Sequence, residues 1–303
     1  MMNLSGQLAA VGNMIRKIVR HLRHLGAKSQ NGTVVNTVPF VKEDVTDIFE
    51  LLHLVPLPIV HVKELHTRLC YREPLNYPET SLEKSLTQWK MEIDDSPIFR
   101  FLYRSFGPKR HLEFGTWYGA GTVYCLEECD ATVWTINLPQ GELTPDGTPA
   151  YGHGVADSKS IEAWARKIGV GISQWGNYRT DTIGFIGRLY LGKGLGNRVC
   201  QIYCDSRDWD ISHYPTAFFD TVLIDGGHQK DIVASDTQKA LALLRSGGLI
   251  LWHDFCPDKD VIAQMESPRG VLRAVLGNWD NLRCQLSDVF WIKPSWILVG
   301  VKR

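Results

Sequence analysis

Charge of one sign is missing from this chain. Its 33 Lys and Arg residues balance 33 Asp and Glu, so the formal net charge at pH 7 is zero. A general electrostatic affinity for nucleic acid is thereby excluded as a function class. Also missing is any apolar run of membrane-spanning length, because charged or polar residues interrupt every candidate. The seven cysteines form no Cys-x-x-Cys pair, which removes the usual zinc frameworks, and their number is odd. Cys125 and Cys129 fall on one expected helix face, and Cys200 and Cys204 in or beside one strand. They read as small core residues in a reducing compartment, and a cytoplasmic location is expected. No glycine turn ends in Gly-Lys-Ser or Gly-Lys-Thr, which excludes the phosphate loop of nucleotide hydrolases. There is no internal repeat, no low-complexity tract, and no acid at all before Glu43.

What is there is ordinary globular chemistry: 303 residues, 44% hydrophobic and 22% charged, enough for one large α/β domain with additions or two small ones. Residues 1–30 stand apart. Leu4, Leu8, Val11, Ile15, Ile18, Val19, Leu22 and Leu25 recur at helical spacing, with Arg16, Lys17, Arg20, Arg23 and Lys28 on other faces. This predicts a basic amphipathic helix. It suits a membrane surface, a partner or an organelle-targeting role, or packing on its own domain or across a homo-oligomer; the last is favoured, because apolar stripes usually face protein. Residues 31–106 read as a linker followed by an N-terminal helical extension, with helices expected over Asp47 to Leu54, Ile59 to Tyr71, Ser81 to Ile93 and Pro97 to Phe106. Residues 107–303 read as the main domain.

That domain opens on His111 to Thr122, HLEFGTWYGAGT. A short apolar strand ends at Phe114, turns through Gly115, Gly119 and Gly121, and enters a helix. Glycines let a backbone approach a ligand closely, and the first helical amides are unpaired donors. The spacing is not the first, third and sixth pattern of a dinucleotide fingerprint. Further strands are expected at Thr132 to Ile136, Arg198 to Tyr203, Phe219 to Ile224, Leu249 to Trp252, Leu282 to Leu286 and Trp296 to Val301, with helices over Asp231 to Leu244 and Gly270 to Gly277. Alternating strands and helices predict an α/β fold with a parallel sheet covered on both faces. The 138–180 connection is unusually long, as functional lids and disordered segments are.

An acid followed by spaced glycines resembles motif I of the class I S-adenosylmethionine-dependent methyltransferases. The stretch FDTVLIDGGHQKDIVASDTQKALALLRSGGLILWHDF, from Phe219 to Phe255, narrows the resemblance. Its Ile-Asp-Gly-x-His turn, internal acid Asp236, Gly-Gly turn and His-Asp end are similar to the small-molecule O-methyltransferases of bacterial secondary metabolism, several of them magnesium-dependent. The resemblance covers residues 110–300. It implies a Rossmann-like, mostly parallel seven-stranded sheet with an antiparallel last strand, and methyl transfer to a small-molecule hydroxyl. The alternative is a non-catalytic member that keeps the fold to bind cofactor or a partner.

Site residues carry over position by position. Glu113 matches the acid that anchors the glycine turn and the methionine end of S-adenosylmethionine. Gly115, Gly119 and Gly121 line the cofactor, with hydroxyls from Thr116 and Thr122. Trp117 and Tyr118 shape the pocket or simply pack. Asn137 stands where a carboxylate usually holds the ribose, and Asp205 and Ser206 match the position facing the adenine amine. Asp225 and Asp254, ending neighbouring strands, match metal-binding positions, with Mg2+ the expected ion and Glu142 a third carboxylate. Many relatives have an acid where this chain has His253, which is assigned to structural hydrogen bonding. His228 resembles the general base, since imidazole titrates near neutrality.

Overall fold

The computed structural model describes residues 43–138 and 186–303. The helix expected over residues 1–30, the linker that follows it, most of the 138–180 connection and Glu142 lie outside the described residues. Residues 44–303 form one compact unit.

An eight-stranded sheet runs through that unit in the order β1-β7-β8-β6-β5-β2-β3-β4. The strands are β1 Ile59–His61, β2 Arg110–Phe114, β3 Thr132–Asn137, β4 Val199–Tyr203, β5 Phe219–Ile224, β6 Leu244–Trp252, β7 Leu286–Lys293 and β8 Leu298–Lys302. All neighbours pair in parallel except those of β8, which is antiparallel to β6 and β7. β5 is buried at every position, as a parallel strand covered on both faces must be. One core, which includes Phe99, Tyr103 and Val123, and another, which includes Phe219, Trp252 and Leu272, are built on its alternating side chains. No helix among the described residues is long and apolar enough to cross a membrane.

Three local expectations need correction. The sheet has eight strands rather than seven, because Ile59–His61 leaves the helical pattern and pairs with Trp291, Ile292 and Lys293 at the edge. Pro56 and Pro58 before it hold the chain extended. The segment from Ser81 to Ile93 is not one helix. It wraps around the buried Asp94, which accepts from Ser81 Oγ at 2.6 Å, Lys84 Nζ at 2.6 Å and Lys90 N at 2.9 Å. Leu282 to Leu286 is mostly helical: Trp279 and Leu282, both buried, are spaced as one helix face within Trp279–Gln285, and the strand starts only at Leu286.

The strand order places a switch point between β2 and β5. From β2 the chain steps outward to β3 and β4, then returns to β5 on the other side. Ligands of open α/β sheets bind outside the carboxyl ends of the strands at such a point. Two hydrogen bonds bring the strand ends together there, Gly115 N to Ile136 O and Asp225 N to Phe114 O, both 2.8 Å.

Candidate active site

The glycine turn is shaped first by protein atoms. Gly115 has φ +96°, and a Cβ on it would lie 2.0 Å from the Asp225 carbonyl oxygen. Gly119 has φ +92° and precedes the helix Ala120–Glu128; a Cβ there would meet the Tyr190 ring at 2.9 Å. Gly121 faces Glu113, whose Oε1 a Cβ would meet at 2.2 Å. Its small size thus serves the buried carboxylate as well as the turn. Glu113 accepts a hydrogen bond from the Thr122 hydroxyl. Thr116 is also buried, between Thr135 Oγ1 at 2.7 Å and Gln201 Nε2 at 2.8 Å, and Tyr190 donates to Gln201 Oε1 at 2.8 Å. Asn137 Oδ1 accepts the Trp117 amide at 2.9 Å, so the neutral residue at the end of β3 pins the turn. Trp117 itself has φ +45° and is 48% exposed. Gln201 and Tyr190 were missed by sequence reasoning, since neither falls in a motif.

Asp205 and Ser206 sit after β4 as expected. The Asp205 carboxylate is paired with Arg207, Oδ2 to Nη2 at 2.7 Å, while the Ser206 carbonyl takes the Lys239 ammonium. The internal acid Asp236, in the helix Lys230–Leu243, is 1% exposed. Burial pushes its carboxyl up to about 7.

Glu113 is 1% exposed, and burial pushes its carboxyl up to about 8 against the pull of the Thr122 hydroxyl. A folded value above the unfolded one means that the contribution of this group to stability is complete below about pH 4.5 and is lost as pH rises through about 8. Glu113→Gln removes the titration. The stability of the wild type relative to that variant, from urea denaturation, should therefore fall steadily from about pH 5 to about pH 8. A flat difference across this window would contradict the reading.

The second half of the site is a cluster of carboxylates and imidazoles. Asp225 and Asp254 follow β5 and β6, and the His253 ring stands between them. His253 Nδ1 is 2.9 Å from Asp225 Oδ1 and 3.2 Å from Asp254 Oδ2. Its Nε2 is 3.2 Å from Oδ2 of Asp95, at the end of the segment Met91–Asp95. His228 Nε2 lies 2.9 Å from Asp254 Oδ2. Asp254 adopts φ +56°, a left-handed conformation that a non-glycine residue holds only when its surroundings over-determine it. Ser267 Oγ donates to its Oδ1 at 2.9 Å. Three residues on, Gly270 seats the His228 carbonyl, which a Cβ would meet at 1.9 Å. Asp95, Ser267 and Gly270 carried no signal in the sequence, and His253 is more central than its assignment to structural hydrogen bonding implied.

Charges follow this geometry. Burial pulls the His253 imidazole down, yet the charges of Asp225 and Asp254 outweigh it and hold the ring well above the ordinary value. Burial pushes Asp254 up, but His253 and His228 together hold it well below the carboxylate range. His228, 43% exposed, is raised because the Asp254 hydrogen bond and charge outweigh burial. By contrast, burial lowers the core histidine His111 to about 3, and it shares hydrogen bonds only with Thr221 and Tyr103.

Asp225, His253 and Asp254 are the one group among the described residues whose ligand atoms lie close enough for a metal, within 4.8 Å of one another. The donor chemistry does not fit magnesium. That ion demands an octahedron of oxygens at about 2.0–2.1 Å. Here one of three donors is an imidazole nitrogen, a poor ligand for it, already in hydrogen-bond contact with both carboxylates.

Comparison with known proteins bears on this same region. A family model described as a methyltransferase domain matches residues 112–255. Comparison with curated proteins gives no match. Among solved structures, an O-methyltransferase from Bacillus cereus in complex with SAH is 16% identical, covers 87% of this chain and 94% of its own, and gives a TM-score of 0.41. An SAH-bound methyltransferase from Podospora anserina is 16% identical over 90% of this chain and 100% of its own, with a TM-score of 0.44. An O-methyltransferase from Streptomyces achromogenes involved in tomaymycin synthesis, in complex with SAM, is 16% identical over 88% and 93%, with a TM-score of 0.40. The family match takes in the glycine turn, both strand-end acids and both site histidines, on a sheet whose switch point lies between them, so residues 112–255 are similar to a methyltransferase domain.

Proposed function

We propose that this chain transfers the methyl group of S-adenosylmethionine to a hydroxyl oxygen of a small molecule, with His228 as the base. The observation that carries this reading is His228 Nε2 at 2.9 Å from Asp254 Oδ2 on the sheet edge that also bears the glycine turn. With Nε2–H committed to Asp254, Nδ1 is the nitrogen left to take a proton, the orienting logic of a carboxylate–imidazole pair.

The residues of the glycine turn suit S-adenosylmethionine. From Gly115 to Gly121 there is no Lys or Arg, as befits a ligand without phosphates. Gly115, Gly119 and Gly121 keep the turn close to the strand ends, Glu113 and Thr122 brace it from below, and Asn137 holds its Trp117 amide. Asp205 and Ser206, after β4, lie toward the adenine side in this reading. When bound, the cofactor supplies the electrophilic methyl. The chain's part is to align the acceptor oxygen and remove its proton, which passes to His228 as the new bond forms. Asp254 fixes the imidazole and stabilises it once protonated. No divalent ion enters this reading, because the donor set between Asp225 and Asp254 does not suit magnesium. Acceptor specificity is assigned to residues 44–106 and 138–180, the latter almost wholly outside the described residues, and a role in secondary metabolism fits a small-molecule hydroxyl. An expected homo-oligomer, and contact of residues 1–30 with a membrane or partner, stand apart from this chemistry.

Titration calorimetry tests the cofactor. S-adenosylmethionine and its demethylated product should each bind at one site per chain, and NAD should give no heat. Binding of NAD without S-adenosylmethionine would overturn the reading. Binding without turnover over a panel of hydroxyl acceptors would favour the non-catalytic alternative.

A further inference from the structure

We propose that Asp95 is a positioning residue: it holds Nε2 of His253 so that the opposite ring nitrogen bridges Asp225 and Asp254, in the place where a divalent cation would bridge them. The proposal deepens the reading of this edge as a methyltransferase site and rests on it for the kinetic readout alone.

Asp95 is 1% exposed, and its two oxygens have separate duties. Oδ1 accepts the indole N–H of Trp89 at 2.7 Å and the Trp296 amide at 3.3 Å. Those two donors, one from the N-terminal segment and one from the β7–β8 connection, lock the carboxylate in place. Oδ2 then meets His253 Nε2 at 3.2 Å, while the Phe99 ring packs on the imidazole with centroids 5.7 Å apart. At the far side Nδ1 reaches Asp225 Oδ1 at 2.9 Å and Asp254 Oδ2 at 3.2 Å. An ionised carboxylate only accepts, so a ring facing carboxylates through both nitrogens must donate through both. The ring nitrogen Nδ1 thus sits between Asp225 and Asp254, and Asp254 is left oriented toward His228. An outer carboxylate on a histidine N–H is the usual device for fixing a ring's orientation. Asp95 lies 158 residues from His253 in the chain and outside residues 112–255, so nothing in the matched domain assigns it.

Mn2+ uptake, followed by the loss of the free-ion electron paramagnetic resonance signal, tests the bridging ring without any acceptor. The wild type should take up none up to millimolar concentration, and His253→Asp, which makes the site all-carboxylate, should take up one ion per chain. Stoichiometric uptake by the wild type would overturn the proposal, as would no gain in a folded His253→Asp. Asp95→Asn tests the positioning role. It should leave S-adenosylmethionine affinity unchanged, lower kcat by roughly tenfold to a hundredfold with little change in KM, and shift the His253 ring signals in 15N-histidine spectra. Unchanged ring signals and unchanged kcat would sink the role given to Asp95. If Asp95→Asn fails to fold, Trp89→Phe, which removes a single hydrogen bond to Asp95, takes its place with the same readouts and a smaller effect in the same direction. Metal uptake and ring spectra need no methyl transfer, so failure of the function reading would be seen separately, as absent cofactor binding.

Discussion

His228→Ala should lower kcat by roughly a hundredfold to ten-thousandfold while S-adenosylmethionine affinity stays near the wild-type value. The size follows from what a positioned base contributes, and the selectivity follows from place. The His228 side chain is on the β5 turn, 43% exposed, with Asp254 as its ionic partner among the described residues. The glycine turn is braced by Glu113, Thr122 and Asn137 through hydrogen bonds that do not involve His228. Truncation at a half-exposed position opens no sealed cavity, so the fold should be retained, at a cost of about 1–3 kcal/mol for the hydrogen bond that the buried Asp254 loses. The backbone contact of the His228 carbonyl with Gly270 survives the substitution. In the wild type, the imidazole is held above its ordinary value by Asp254, so kcat should fall on the acid side of a limb lying above that value, and His228→Ala should abolish the limb. Single-turnover kinetics with the accepted hydroxyl compound measures both. Full activity in His228→Ala would make the residue a helix cap and leave the reaction without its base.

Gly115→Ala should cost on the order of 3 kcal/mol of stability or more and remove cofactor binding. Two terms act together. At φ +96° an alanine is strained wherever it sits. The added Cβ would also lie 2.0 Å from the Asp225 carbonyl oxygen and 2.5 Å from its carbon, both backbone atoms. Neither strand end is free to retreat, because Asp225 N donates to Phe114 O and Gly115 N donates to Ile136 O. Relief therefore demands that β2 and β5 part at the switch point, which separates the glycine turn from the carboxylate cluster. Gly194→Ala is the control: its φ is +71° with nothing within 4 Å of the new Cβ, so only the backbone cost of roughly 1–2 kcal/mol remains. Urea denaturation of both variants, with calorimetry on Gly115→Ala, checks the contrast. Equal losses for the two glycines would show that the close approach to Asp225 carries no energy.

The parts of the site that could be read in advance are those whose signal is local. Strand, glycine turn and helix follow one another within His111 to Thr122, and Asp225, His228 and Asp254 stand at the ends of apolar runs that could only be strands. Where several local structures compete, the reading failed. Ile59–His61 has too few residues to display a period, and its strand exists because β7 offers an edge. Asp94 draws the segment from Ser81 to Lys90 around itself, and no periodicity records a buried carboxylate gathering distant donors.

By itself the sequence determined the α/β class, the succession of β2 to β6 along the chain, the glycine turn and the edge on which Asp225, His228 and Asp254 sit. These depend on alternation, turn chemistry and spacing within a few dozen residues, where chain connectivity leaves little freedom. Only the tertiary structure decided that His253 lies between two carboxylates rather than beside them, that Asp95 reaches it across 158 residues, and that Ser267 and Gly270 seat Asp254 and His228. Such contacts arise when separate elements close on one another. Their energy comes from burial and from hydrogen bonds that no single element makes, so no stretch of the chain carries their mark.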